Sequence, residues 1–117
     1  MENFIKITKA MSDPTRVRIL GLLLEGELCV CDIVATMGFA QPTVSRHLKQ
    51  CTDAGLTVAR KAGAWTHYSL ANESDAPFVS TFLDLLEKAI RTDAEFAELK
   101  AKLVAVKKAK KILSEGN

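Results

Sequence analysis

The sequence is short of what a membrane span, a secreted scaffold or a cofactor-bearing enzyme needs. No apolar run nears the roughly 20 residues required to cross a bilayer. The opening Met1-Glu-Asn-Phe-Ile-Lys has no charged segment followed by a long apolar one. A cytoplasmic protein with no membrane partner is therefore expected. With 3 prolines and 6 glycines, low complexity is excluded. Three cysteines are an odd number and a poor disulfide framework, which leaves soft-metal binding or redox sensing for the thiols. Aromatic residues are 6% of the chain, and no stretch arrays them as a stacking platform for single-stranded nucleic acid. There is no Gly-rich phosphate loop, no Cys-x-x-Cys in a βαβ setting and no pairing of His with carboxylates, so no enzyme is expected.

What is present is a single domain's worth of chain, 117 residues at 48% hydrophobic and 26% charged. Its net charge of +2 matters less than the distribution. Residues 41–70 carry Arg46, Lys49, Arg60 and Lys61 against Asp53. Residues 71–98 are acidic, with Glu73, Asp75, Asp84, Glu87, Asp93, Glu95 and Glu98 against Lys88 and Arg91. Lys100 through Lys111 are basic again. A basic middle beside an acidic flank suits a polyanion-binding face, although solvated helix surfaces give the same pattern.

Apolar spacing predicts a short amphipathic helix over 2–11. Ser12-Asp13-Pro14 then restarts a helix with a capping side chain and a first-turn proline. Its Val17, Ile19, Leu20, Leu22, Leu23 and Leu24 are apolar on most sides, which predicts a buried central helix ended by Gly26. Leu28-Cys-Val-Cys reads as extended. Asp32 is the expected N-cap of a brief helix from Ile33 to Met37, ended by Gly38. The next helix runs from Gln41-Pro42 to about Ala54 with Val44, Leu48 and Cys51 on a core-facing stripe. Two short helices with a Gly-containing turn make a helix-turn-helix. Leu56–Lys61 and Trp65–Leu70, around Gly63, form a hairpin, and a hairpin in this place is a wing. Trp65 and Tyr68 are expected on its packing face. A helix follows Asp75-Ala-Pro77, with Phe78, Phe82, Leu85, Leu86 and Ile90, and another begins near Asp93. The expected fold is mainly α with a small β-hairpin wing: a homodimeric winged helix-turn-helix over residues 1–92, and a helical extension of the same domain over 93–117.

Five segments occur in this order: Asp13-Pro-Thr-Arg-Val-Arg-Ile-Leu, Glu27-Leu-Cys-Val-Cys-Asp, Gln41-Pro-Thr-Val-Ser-Arg-His-Leu, Ala54-Gly-Leu, and Arg60-Lys-Ala-Gly-Ala-Trp-Thr-His-Tyr-Ser-Leu. In them, residues 4–90 resemble the ArsR/SmtB family of winged-helix metalloregulators, and within it the arsenic-responsive repressors. The resemblance implies a homodimer that holds double-stranded operator DNA and leaves it when an inducer, arsenite or antimonite, binds cysteines in the Glu27–Asp32 box. Two positions depart from that pattern. Val34 stands where many arsenic-type members have a third cysteine, and Ala40 where a Ser or Thr caps the reading helix.

Thiolates are natural ligands for a soft trivalent centre. Residues i and i+2 share a side in a strand but diverge by about 200° in a helix. Cys29 and Cys31 therefore grip one atom only if the segment stays extended or the helix start distorts. Cys51 fits core packing better, and is a third ligand only if the fold brings it beside Cys29. A redox-responsive or Cd-, Pb- or Zn-responsive repressor is the alternative. A Cys29–Cys31 disulfide closes a very short loop, which argues against the redox form.

On the reading helix, Gln41 and Thr43 enter the groove first. Arg46 suits guanine and Gln41 adenine, while Lys49, Ser45 and Thr43 suit phosphates. His47 divides evenly between a phosphate contact and packing. Arg60 and Lys61 in the wing are expected near phosphates or the minor groove, or at a solvated hairpin tip. The first helix and the Phe78–Ile90 helix carry more apolar surface than so small a monomer buries. Phe4, Ile7, Phe78, Phe82, Leu85 and Leu86 are thus assigned to the dimer interface.

Overall fold

The computed structural model describes residues 1–72 and 78–115. Helix α1 (Glu2–Ala10) leads into α2 (Pro14–Leu22), which tightens into a 3₁₀ turn over Leu23–Glu25. Strand β1 (Leu28–Cys29) runs directly into α3 (Val30–Met37), followed by α4 (Gln41–Asp53). Strands β2 (Thr57–Ala62) and β3 (Trp65–Leu70) precede α5 (Val79–Ile90) and α6 (Ala94–Glu115). The expected helix restart at Asp75–Pro77 lies outside the described residues.

Helix α2 begins where its chemistry requires. The Asp13 carboxylate accepts the N–H groups of Thr15 at 2.8 Å and Arg16 at 3.1 Å, and Pro14 fills the first turn, where no donor is needed. The helix is the central element: Ile19 and Leu20 are fully buried, and α4, α5 and α6 pack on it. Arg16 joins its neighbours. Its guanidinium donates to the Ala10 carbonyl at 2.8 Å and the Lys9 carbonyl at 3.1 Å, so it also closes the C-terminus of α1.

Helix α3 starts three residues earlier than expected. Cys29, in extended backbone, is its N-cap, and Asp32 sits at the third helical position. The carboxylate of Asp32 reaches back to the Cys29 N–H at 3.3 Å, while the Cys29 sulfur accepts the Cys31 N–H at 3.1 Å. This is a reciprocal capping box in which sulfur replaces the usual hydroxyl. Gly38, at φ 76°, ends α3 in the left-handed region and turns the chain into α4. On α4, Val44, Leu48 and Cys51 are all fully buried, as their spacing predicts.

Among the described residues the sheet has three strands rather than the expected two. Its order is β1-β3-β2, all antiparallel, with Thr57↔Leu70 through Ala62↔Trp65 forming the hairpin. Strand β1 adds to the other edge of β3 through Leu28↔Tyr68 and Cys29↔His67. A two-residue strand shows no period, so only the fold reveals the pairing. Tyr68 packs against the core, but Trp65 is 47% exposed, contrary to its assignment to the packing face.

Helix α6 lies along α3 and α2. Asp93 sets its start, accepting the Phe96 N–H at 3.0 Å and the Arg18 guanidinium at 3.0 Å. Phe96 and Leu103 are buried. The helices meet closely at Gly21, where an added Cβ lies 2.7 Å from the Phe96 ring and 3.0 Å from Ile90. No helix among the described residues is long and apolar enough to cross a membrane. Gly21→Ala is expected to lower stability by about 1–3 kcal/mol through overpacking, read by urea unfolding. An unchanged midpoint would show that α6 does not pack on α2 this closely.

Candidate functional site

The strand-to-helix junction resolves the geometry of the two cysteines. Cys29 is extended (φ −65°, ψ 145°) and Cys31 lies in the first turn of α3. Neither a pure strand nor a distorted helix is needed. The change of conformation between them turns both sulfurs to one point, and they lie in disulfide contact. This departs from the expectation that so short a loop disfavours the bond. The Cα atoms are 5.1 Å apart, well inside the span of about 4.4–6.8 Å that disulfides bridge. Cys29 is buried and Cys31 half-buried, so the pair opens to solvent on the Cys31 side. There the α6 residue Lys110 places its ammonium 3.7 Å from the Cys31 sulfur and 3.4 Å from the carboxylate of Asp32. Its contact is invisible in sequence, since Lys110 lies 79 residues from Cys31.

Cys51 belongs to the core. It is fully buried on α4, and burial pushes its thiol up from 9.0 to about 11. Among the described residues, no three His, Cys, Asp or Glu side chains gather as a metal-holding group.

The second part of the site is α4 and the wing. Gln41, Arg46 and Lys49 are exposed, and Thr43, Ser45 and His47 half-buried. Arg46 donates to the Thr43 hydroxyl at 3.5 Å, and Lys49 lies 3.3 Å from Asp53. The N-cap, Ala40, makes no side-chain bond to the helix. His47 is tied inward: its Nδ1 is 3.4 Å from the Arg16 guanidinium. That contact links α4 to the α1–α2 corner.

In the wing, Lys61 is exposed, whereas Arg60 is engaged. Its Nε donates to the Glu27 carboxylate at 3.1 Å, and Glu27 Oε1 also lies 3.9 Å from His67 Nδ1. The Arg60 hydrogen bond holds the Glu27 carboxyl below its ordinary range. Glu27 stands two residues before Cys29, so this pair joins the thiol box to the wing.

The apolar residues assigned to an interface divide. Phe4, Phe78 and Leu85 are 40%, 51% and 59% exposed, and Phe82 is half-buried. Phe4 packs edge-on to Phe78 and tilted on Phe82, with ring centres 6.2 and 5.7 Å apart. Ile7 and Leu86 are instead buried inside the chain. Each turns to the inner face of its helix, so neither is available to a partner.

A reading helix behind a capped short helix, flanked by a three-stranded wing, defines a winged helix-turn-helix DNA-binding protein. Residues 13–57 match the bacterial regulatory proteins of the arsR family. The chain is 46% identical over 68 residues to the arsenical resistance operon repressor of Escherichia coli (strain K12), across 57% of this chain and 58% of that protein. It is 41% identical to the arsenical resistance operon repressor of Staphylococcus xylosus, across 68% of this chain and 76% of that protein. It is 39% identical to the cadmium resistance transcriptional regulatory protein CadC homolog of Staphylococcus aureus, across 80% and 73%. Among solved structures it is similar to the homodimeric winged helix-turn-helix DNA-binding domain Mb0332 of Mycobacterium bovis, with a TM-score of 0.63 and 26% identity over 79% of this chain and 83% of that one. The chain belongs to the ArsR family of helix-turn-helix regulators. It is a regulator and not an enzyme.

Two outcomes follow from this geometry. Between pH 9.0 and about 11 the unfolded Cys51 thiol ionises while the folded one keeps its proton, so the unfolded state binds fewer protons and stability falls as pH rises. Urea unfolding across that range should show a smaller fall for Cys51→Ala than for wild type; equal slopes would mean that the thiol is not held neutral. Glu27→Gln releases Arg60 in the wing. DNA affinity should rise and its logarithmic salt dependence steepen by about 0.9, the contribution of one added phosphate contact. An unaltered slope would show that Arg60 does not reach the backbone.

Proposed function

We propose that this chain is a transcriptional repressor that binds operator DNA as a homodimer and is released when trivalent arsenic or antimony binds Cys29 and Cys31. The observation that carries this reading is the convergence of two soft sulfurs on one point, at the junction leading into the helix-turn-helix. The donor set fits the ligand: once reduced, the pair gives two thiols, one of them half-exposed, which suit a thiophilic trivalent centre. The similarity to arsenical resistance operon repressors supports the same inducer. The described residues of one chain offer no third thiol beside the pair, which favours two-thiolate coordination over a site that includes Cys51.

The mechanism runs through the backbone. Cys29 and Cys31 would hold the inducer, and bonding through both sulfurs would fix the chain between them. Cys29 is paired with His67 in the wing sheet and also caps α3. A change in its backbone therefore acts on the wing and on α3 together, and α3 packs on α4. The inducer then binds the DNA-free dimer more tightly than the DNA-bound one, and by linkage DNA weakens the inducer to the same degree. On the DNA side, Gln41 and Arg46 suit base edges, and Thr43, Ser45 and Lys49 suit phosphates. His47, held by Arg16, serves packing first. Lys61 and Arg60 lie in the wing, beside the flanking backbone in this docking. Phe4 on α1, Phe78 at the N-cap of α5, and Phe82 and Leu85 within α5 form an apolar face that suits a twofold interface.

The disulfide contact favours a second reading on the same residues, a redox switch. The two thiols would form the S–S bond by losing two electrons and two protons to a peroxide, whose O–O bond breaks to give two waters, or one water and an alcohol. One set of titrations separates the two. Fluorescence anisotropy with a palindromic probe from the protein's own promoter should show arsenite releasing reduced wild type and Cys51→Ser, but not Cys29→Ser/Cys31→Ser. Indifference of wild type to arsenite, together with release by peroxide and loss of two thiols per chain, would replace the arsenic reading with the redox one.

A further inference from the structure

We infer that the lysines of α6 make the inducer site selective for trivalent arsenicals whose third substituent carries a carboxylate. The inference rests on the two-thiol reading above. Two thiols satisfy two of the three bonds of a trivalent centre, so a third substituent must project from the site. Cys29 is buried, and among the described residues the pair opens to solvent past Cys31. Beyond Lys110, which stands beside that sulfur, lies an open cleft of about 340 Å³ lined by Asp32, Lys107, Lys110, Lys111, Ser114 and Glu115. Lys110 bridges the two, 3.7 Å from the Cys31 sulfur on one side and within the cleft wall on the other.

The charge of the cleft sets the preference. Three ammonium groups face two carboxylates, and both carboxylates are engaged. Asp32, only 6% exposed, accepts the Cys29 N–H and the Lys110 ammonium. Glu115 lies 3.9 Å from Lys111. The cleft therefore keeps a surplus positive charge, and the lysine ammonium groups extend from stems long enough to meet a ligand. A substituent ending in a carboxylate finds charge-assisted donors there, and an uncharged one finds none. Binding keeps arsenic trivalent. Each As–S bond forms as an As–OH hydroxyl leaves with the thiol proton as water, so no oxidant or reductant is consumed.

The test compares phenylarsine oxide with 4-carboxyphenylarsine oxide on the phosphine-reduced full-length protein, read by calorimetry and by loss of titratable thiols. The carboxylated probe should bind about fivefold more tightly to wild type, the scale of one partly exposed ion pair. The preference should shrink as salt is raised. In Lys107→Gln/Lys110→Gln/Lys111→Gln the ratio of the two affinities should fall to one, and Lys110→Arg should keep it. The ratio is internal to each variant, so a general loss of stability does not produce it. Arsenite offered with mercaptoacetate, against arsenite with 2-mercaptoethanol, reports whether a sulfur-borne carboxylate gains in the same way. A ratio of one in wild type, or a preference that survives the triple replacement, would overturn the assignment of the lysines. Failure of both aryl probes to consume two thiols would overturn the two-thiol reading itself, and this inference with it.

Discussion

Asp32 accepts the backbone N–H of Cys29 on one oxygen and the ammonium of Lys110 on the other. Through those two bonds one nearly buried carboxylate holds together an edge strand of the wing, the first turn of α3 and the far end of α6. A carboxylate this buried needs hydrogen-bond donors, and here the wing's edge strand and α6 supply them. The position of both thiols follows. The cap makes Cys29 extended and Cys31 helical, and that change of backbone turns their sulfurs to one point.

The same junction would give a ligand held by the two sulfurs leverage on the helix-turn-helix. The core is close-packed around α2, with Ile19, Leu20, Val44 and Leu48 excluded from solvent. Such an interior passes a displacement on instead of absorbing it. Strand β1 belongs to the wing sheet and caps α3, so the wing and the helix packed on α4 share one short segment of backbone. Arg16 sets the opposite boundary. It ties the α1 carbonyls to His47 on α4, so the reading helix is anchored at one end and coupled to the thiol box through α3.

Electrostatics divide the surface into three uses. The wing's Arg60 is held by Glu27, which ties a wing cation to the box that carries the cysteines. The cations of α4 stand beside weak local partners, Thr43 for Arg46 and Asp53 for Lys49, which water-exposed groups exchange readily. Lys110 of α6 stands beside the Cys31 sulfur, and Lys107 and Lys111 line the cleft that it shares with Asp32. The basic tail, which in sequence looks like a solvated face, thus borders the same site as the cysteines.

Much of this molecule is legible in the chain because local physics decides it. Asp13-Pro14 starts α2 by donor satisfaction alone, Gly38 ends α3 by its freedom at positive φ, and Val44, Leu48 and Cys51 meet the core by helical period. The hairpin around Gly63 is equally local. The cysteines announce a thiol site by type and spacing, but not the angle between them. That angle depended on where α3 begins, and Asp32 set it from the third position of the helix, not from the cap. Ile7 and Leu86, apolar like their neighbours, could not be told from interface residues until the helices packed and turned them inward. The third strand, the Glu27–Arg60 pair and the placing of Lys110 beside Cys31 join residues far apart in sequence, without periodicity to mark them. Sequence determined the elements and the kind of chemistry, because capping, turns and hydrophobic period act over a few residues. Tertiary structure alone decided which distant charges meet the thiols, because that depends on how whole helices stack.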